Sequence, residues 1–358
     1  MCVIALALEA HADFPFVLAH NRDEEAERPT EPPRVHDGGH IFSRDLEAGG
    51  TFLGFSRLSL NFGAITNVRS RAKRPISSRS RGELITSLLA GESMARMSQS
   101  ASYTAFNLWH GTVQPPAARY SRSWPDNEPA GGAPEGAWQY GESSVPHGEV
   151  IAHSNEPVGD SSSWPKTRFL QRQTAALLRK LPAGASVELL RDSLAAILST
   201  QLELSSAERP DLAFSPLPDW REKVLQDGPF ISRRRHADAA RANGESSTPP
   251  YGTLCQTILI SCARTRSIYY FHRDLRCKGG DSFGEQTPAE WQVWCTPWDS
   301  KEALAQAPSR WRSPSADWLC LPLVAFLCAA GILWWRLAAL AESSCAGPGA
   351  GGGHGGEN

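Results

Sequence analysis

The chain opens on an alternating apolar run, Met1 to Leu8, in which Ile4, Leu6 and Leu8 share one face and Ala5 and Ala7 the other. A period of two over this length predicts a buried strand. The run has no basic head and meets Glu9 and His11 at once, which is not the build of a conventional signal peptide. A second apolar run, Phe14 to Ala19, follows the turn His11-Ala12-Asp13 and predicts a hairpin, with Pro15 in an edge or unbonded position. Residues 41–44, 51–58 and 60–68 predict three more strands. Gly49-Gly50 marks a turn or a close backbone approach, and one antiparallel sheet is expected across the first 70 residues. Strand character returns at Tyr103 to Trp109. Thr257 to Ser261 and Ser267 to His272 predict a last hairpin.

Helical periodicity marks Glu83 to Leu89, Trp164 to Lys180 and Val187 to Leu198. Leu170, Leu177 and Leu178 give one apolar face, and Leu189, Leu190, Leu194 and Ile197 give the next. Helices against sheets predict a layered α/β body over residues 1–281. Within it, 114–148 reads as an exposed connection with a hairpin near Tyr140, and 231–250 as a mobile insertion. A Trp-rich linker, 282–317, follows, then an apolar helix at 318–341 and a Gly-rich tail at 342–358.

Trp318 to Trp335 runs 18 residues without a charge, close to the shortest helix that spans a bilayer. Trp318, Trp334 and Trp335 stand where interface anchors are wanted. The expectation is a C-terminal transmembrane helix that makes the membrane a partner. It would anchor a cytoplasm-facing body to the Golgi or another internal membrane. The alternative is a buried or partner-packed helix on a protein of the soluble cytoplasm.

Hydrophobic residues make up 41% of the 358 and charged residues 21%, with a formal charge of -2. That balance suits a globular body and argues against a wholly basic nucleic-acid binder, so no nucleic-acid partner is expected. The eight cysteines include no CxxC pair, and seven of them lie from Cys255 onward. This is neither a small disulfide framework nor a zinc signature, and it points to reduced thiols. No metal and no resident cofactor are predicted, because no P-loop, GxSxG elbow or HExxH is present. A formal GxGxxG falls in the glycine tail without a strand before it. His110, His147 and His153 read as loop or surface residues. Arg69 to Arg81 holds ten Arg, Lys or Ser in thirteen residues. It reads as a solvated loop, with an anionic group as the alternative ligand.

The remaining chemistry centres on Cys2. If Met1 is removed, one residue carries both a thiol of pKa about 8.5 and an amine of pKa about 8. Nucleophile and base then lie together, as in N-terminal-threonine enzymes. A guanidinium would stabilise the thiolate, and asparagine side chains an oxyanion. The bland reading is a small cysteine that begins a buried strand. Against it stands the polar cluster His20-Asn21-Arg22-Asp23-Glu24 at the end of the second strand. Its register decides whether Arg22 and Asp23 reach Cys2. Thr66-Asn67 and Ser154-Asn155 are further candidate contacts.

Several ordered motifs accompany this cluster. Met1-Cys2 precedes Ala19 to Glu24 and Arg28-Pro29. Gly49 to Gly54 and Ala64 to Asn67 come next, then Arg81 to Leu84 and Phe106 to Leu108. Ser154-Asn155, Trp164 to Lys166 and Tyr251 to Thr253 complete the series. In this order they resemble the eukaryotic and bacterial family named for its Asn-Arg-Asp-Glu motif, represented in animals by transport and Golgi organisation protein 2. The resemblance covers about residues 1–275. It implies an N-terminal-nucleophile-hydrolase-like αββα sandwich of antiparallel sheets flanked by helices. It also implies a role in Golgi organisation and protein secretion, with handling of a lipid or other hydrophobic ligand. The alternatives it carries are a Cys2-dependent hydrolase of acyl amides and a haem chaperone, with haem as a transported ligand. The site residues it implies are Cys2, Arg22, Asp23, Asn67 and Asn155. Where the family has arginine after Tyr-Gly-Thr, this chain has Leu254, which cannot supply a cation. Arg264 and Arg266 are the candidates to replace it.

Overall fold

The computed structural model describes residues 2–68, 79–94, 97, 103–125, 138–156, 164–202, 204, 217–226, 228–275 and 288–299. In chain order the elements are β1 (Val3–Leu8), β2 (Phe16–Glu25), β3 (Thr30–Val35), β4 (His40–Asp45), β5 (Leu53–Ser56), β6 (Asn61–Asn67) and α1 (Gly82–Leu89). Then come β7 (Phe106–Thr112), β8 (Ala117–Pro125), β9 (Trp138–Ser144), β10 (Val150–His153), α2 (Pro165–Lys180) and α3 (Val187–Leu198). The chain continues through α4 (Asp219–Gln226), α5 (Arg233–Ala242), β11 (Tyr251–Cys262), β12 (Ser267–Asp274) and β13 (Gln292–Pro297).

The alternation read in β1 is what builds the layers. Ile4, Leu6 and Leu8 join Phe16 and Leu18 of β2 against Phe55, Phe62 and Trp109, in a core between two sheets. Val3, Ala5 and Ala7 face the other way, onto Leu170 and Leu178 of α2 and Leu190 and Leu194 of α3. Small alanines on this face let the helices sit close. On the far side of the second sheet, Leu84, Ile85 and Leu88 of α1 pack on Phe42, Ile65 and Leu108. Each large apolar side chain so buried contributes about 1.5–3 kcal/mol. The protein is thus an α/β fold of two antiparallel sheets flanked by helices.

One sheet has six strands in the order β10-β1-β2-β11-β12-β13, and the other has seven, β3 through β9 in sequence. The first 70 residues therefore do not form a single sheet: β1 and β2 lie in one, β3 to β6 in the other. The hairpin of β1 and β2 is paired as expected, from Val3↔Asn21 to Leu8↔Phe16. Residues 117–125 and 138–144 form the hairpin β8–β9 in the second sheet, so much of the expected exposed connection is strand.

Two segments differ from the sequence expectation for packing reasons. Residues 233–242 form α5 in place of a mobile insertion. Ser232 caps it by accepting the Arg235 N–H, and Arg233, His236, Ala237 and Ala240 make a buried stripe at helical spacing. The body also extends past residue 281, because β13 pairs with β12 from Ser267↔Pro297 to His272↔Gln292. Trp291, expected in a linker, is gripped by Arg191 at 5.5 Å and Arg273 at 4.7 Å over its ring.

The expected membrane anchor is corrected. Among the described residues no helix is long and apolar enough to cross a membrane. The longest described helix, α2, has 16 residues and carries Lys166, Arg168, Arg172, Arg179 and Lys180. Residues 318–341 lie outside the described residues, as do 300–317, 342–358 and most of the basic run, 69–78. The membrane as a partner, and anchoring to the Golgi or another internal membrane, are therefore withdrawn.

The Gly49-Gly50 element brings the loop after β4 onto the start of α1. A Cβ on Gly50 would lie 2.5 Å from the Gly82 carbonyl carbon, and one on Gly82 would lie 2.6 Å from the Thr51 nitrogen. The two glycines let two backbones touch, and the Thr51 N–H donates to the Gly82 carbonyl at 3.3 Å. Gly50→Ala is expected to lower stability by about 1–3 kcal/mol. Urea denaturation with an unchanged m-value would register this, and a loss below about 0.5 kcal/mol would contradict the close approach.

Candidate functional site

Register places the candidate residues. Val3 pairs with Asn21 across β1 and β2, so the ladder's next step brings half-buried Cys2 beside Arg22. Strand alternation then sends Arg22 and Asp23 to opposite faces. Arg22 points between the sheets. It donates to Asp45 Oδ2 at 3.0 Å and lies 5.1 Å over the Phe52 ring. Asp23 points toward the helices and accepts the Thr253 hydroxyl at 2.7 Å, while Tyr251 donates its hydroxyl to the Asp23 carbonyl at 2.9 Å. Asn21, on the helix side, ties β2 down by donating to the Leu198 and Pro229 carbonyls, each at 2.8 Å.

Cys2 is held from its other edge by the segment that follows β10. Ile4 pairs with His153, and Ser154 then donates its hydroxyl to the Cys2 carbonyl at 2.7 Å. Asn155 is buried, and its side-chain amide donates to the Asn67 carbonyl. Asn67 itself ends β6 and is exposed. The fold thus gathers Cys2, Arg22, Asp23 and Asn155 at one end of β1. It brings in Asn67 through its backbone carbonyl, which accepts from the Asn155 amide.

Electrostatics follow from burial. Burial pushes the Cys2 thiol up, and the Asp23 charge adds to the rise. The chain's ammonium terminus, a backbone hydrogen bond with Asp23, and the Arg22 guanidinium oppose it. Asp23 is itself raised by burial to about 6, against the pull of the ammonium terminus, Lys166 and the Thr253 hydrogen bond. His20 is lowered to about 3, by burial first and then by Arg22 and His272, so its imidazole is neutral. It stacks on Phe52 at 5.4 Å.

The site also contains residues to which the sequence reading assigned no role. Glu156, two residues after Ser154, accepts the Ser154 N–H at 2.5 Å through one oxygen and the Thr167 hydroxyl through the other. Lys166 is 0% exposed and Glu156 2%. Asp45 joins Arg22 to Arg28, which donates to it at 2.7 Å. The available signal was a carboxylate immediately after Ser154-Asn155 and a lysine in the first turn of an apolar-faced helix.

Leu254 is buried at an irregularity of β11 between Thr253 and Cys255. It lines a small space with Arg22, Ser43, His272 and Asp274. Arg264 and Arg266 do not replace the missing cation. They sit in the β11–β12 turn, at the opposite end of β11, where Arg266 pairs with Asp299 at 3.3 Å. Of the three histidines read as loop or surface residues, His153 and His110 are placed differently, in strands and partly buried, and His147 is exposed as expected. His153 stacks on Tyr120 at 4.6 Å and is lowered to about 4 by burial. His110 is partly buried and lies 2.9 Å from the Ser121 hydroxyl. His147 contacts Glu9 at 2.8 Å near the surface. Among the described residues no group of three or more His, Cys, Asp or Glu side chains is arranged to hold a metal ion.

A cavity of about 690 Å³ lies away from Cys2. It lies beside α1 and β7–β9, with Phe62, Leu88, Met94 and Val145 as apolar lining and His110, Arg119 and Glu142 as polar lining.

Fold and site together define an α/β protein with a half-buried cysteine at the head of its first strand, set among buried charged and amide side chains. Residues 1–276 match the model of the Transport and Golgi organisation 2 family, and the chain belongs to that family. Membership supports a general role in Golgi organisation or transport. None of the curated proteins matches the chain.

Proposed function

We propose that the protein serves its Golgi and transport role through a thiol-dependent site of the N-terminal-nucleophile type, acting on acyl amides. The observation that carries this reading is the placement of Cys2. It opens β1, its carbonyl is held by Ser154, and Arg22, Asp23 and Asn155 are collected around it. The helix–sheet–sheet–helix packing supports an N-terminal-nucleophile-hydrolase-like αββα sandwich. Removal of Met1 would place the ammonium on Cys2 itself, where it favours the thiolate, and its neutral form would serve as the base. The bond sequence is attack of the Cys2 sulfur on the amide carbonyl, transfer of the proton to the leaving amine, and hydrolysis of the thioester by water. Intact and N-terminal mass spectrometry of protein from its own cells, with and without an electrophilic acyl probe, tests this. Loss of Met1 with an adduct on Cys2 is expected. Retained or acetylated Met1 without an adduct defeats the reading.

A second reading is stoichiometric handling of a hydrophobic ligand, and the cavity of about 690 Å³ favours it. Titration with a fatty acyl amide, a phospholipid monomer and haem separates the two. Saturable one-to-one binding without bond cleavage supports a carrier, and absence of binding across all three removes it.

A further inference from the structure

Lys166 and Glu156 are a buried cation and a buried carboxylate, which proposed thiol chemistry leaves unused. Ionised groups are costly to bury unless their surroundings hold them, so their place beneath the Cys2 segment needs a physical account. The hydrogen bonds supply one. The two Glu156 carboxylate oxygens grip opposite sides of the same corner, one taking the Ser154 N–H at 2.5 Å and the other the Thr167 hydroxyl at the start of α2. Ser154, fixed in this way, gives its hydroxyl to the Cys2 carbonyl at 2.7 Å. The Ser154 carbonyl takes the Thr66 hydroxyl from β6 and the Asn107 amide from β7 at 3.3 Å. Asn155, the next residue, spans to the Asn67 carbonyl. One carboxylate therefore stands behind a corner that joins both sheets and α2 to the residue bearing the thiol.

We propose that Glu156 is a positioning residue, whose buried carboxylate pins the Ser154-Asn155 corner against Cys2 and fixes the thiol-bearing residue in place. This deepens the thiol reading of the same site and rests on it only for its chemical consequence. The charged and titratable groups around Glu156 include Lys166 from α2, Tyr120 from β8, whose phenol the Glu156 charge helps to push up, and Asp23 from β2, which shares Lys166. Burial raises the Glu156 carboxyl to about 7, while the Thr167 and backbone hydrogen bonds and then Lys166 pull it down. The corner is consequently pinned by a full negative charge above neutral pH and by a neutral carboxyl below it.

The test uses the full chain labelled with carbonyl-13C cysteine and 15N serine, followed by NMR from pH 5 to 9. An acyl-probe labelling rate for Cys2 is measured in parallel. In the wild type, the Ser154 amide and the Cys2 carbonyl should titrate together, with a midpoint near 7. Glu156→Gln keeps the shape, with its side-chain carbonyl left to accept the Ser154 N–H and its NH2 to donate to the Thr167 hydroxyl, and should abolish that shared inflection. Thr167→Val removes one hydrogen bond that favours the ionised form, and should move the midpoint upward. It also carries the test if the glutamine variant does not fold. A purely structural corner would show no such displacement. The proposal is overturned if the inflection persists in Glu156→Gln, stays fixed in Thr167→Val, or is absent from the Cys2 carbonyl. A shared titration with no acyl adduct on Cys2 upholds the positioning role and removes the thiol chemistry instead.

Discussion

Cys2→Ser is expected to reduce labelling of the chain by an electrophilic acyl probe by about 100-fold or more. A serine hydroxyl is a far weaker nucleophile than a thiolate. Substitution is nearly isosteric and leaves the Cys2 backbone carbonyl in place to accept from Ser154, so the fold should survive with the site intact. The pH dependence adds a second check. Burial and the Asp23 charge hold the thiol above its ordinary range, so the labelling rate should still be climbing at pH 9. Asp23→Asn removes the raising charge and should shift that rise to lower pH. Arg22→Gln removes an opposing charge and should shift it higher. Equal labelling of Cys2→Ser and the wild type, located by peptide mapping on another cysteine such as exposed Cys295, would rule out Cys2 as the nucleophile. A pH profile unmoved by Asp23→Asn would show that the two groups are uncoupled.

Much of the architecture was legible because it depends on local period. The two faces of β1 and the apolar faces of α2 and α3 follow from alternation and helical spacing, which survive in a single sequence. Assignment of β1–β2 and β3–β6 to separate sheets was not legible. Strand patterns name a buried face but not which sheet buries it. The 231–250 segment misled because its buried stripe is made of Arg233, His236 and two alanines. Their polarity hides a helix that packs by its small residues and an arginine stem. The candidate site divides in the same way. Cys2, Arg22 and Asp23 were legible, since they lie on two adjacent paired strands. Nothing in the local sequence shows that Asn67 contributes its carbonyl, because that depends on where the residue after Ser154 lands 88 positions away in the chain. Lys166 and Glu156 were legible as residue types but not as buried ones, since charged side chains are rarely fully buried unless paired.

Lys166, buried with the carboxyls of Glu156 and Asp23, makes the second large prediction. Lys166→Met should destabilise the fold by about 3–5 kcal/mol at pH 8, because it leaves buried carboxylates without their compensating cation. The sign of the pH dependence follows from Asp23 at about 6 and Glu156 at about 7, both raised by burial above their ordinary values. A carboxyl whose folded pKa is raised binds its proton more tightly in the folded chain. Its unfavourable contribution is therefore full above the folded pKa and is relieved as pH falls through that value toward the unfolded one. Lys166 pulls both groups down, so its loss raises both further and widens the window in which they are protonated. The penalty of Lys166→Met should then shrink as both groups protonate, leaving mainly the packing change at pH 5. The buried neutral histidines His20, His153 and His236 are lowered to about 3, 4 and 4. They weaken both proteins below about pH 6.5, so the informative quantity is the difference between variant and wild type at each pH. Paired urea denaturation curves at pH 8 and pH 5 measure it. A loss of the same size at both would mean that the lysine serves only as packing and that the two carboxylates do not depend on its charge.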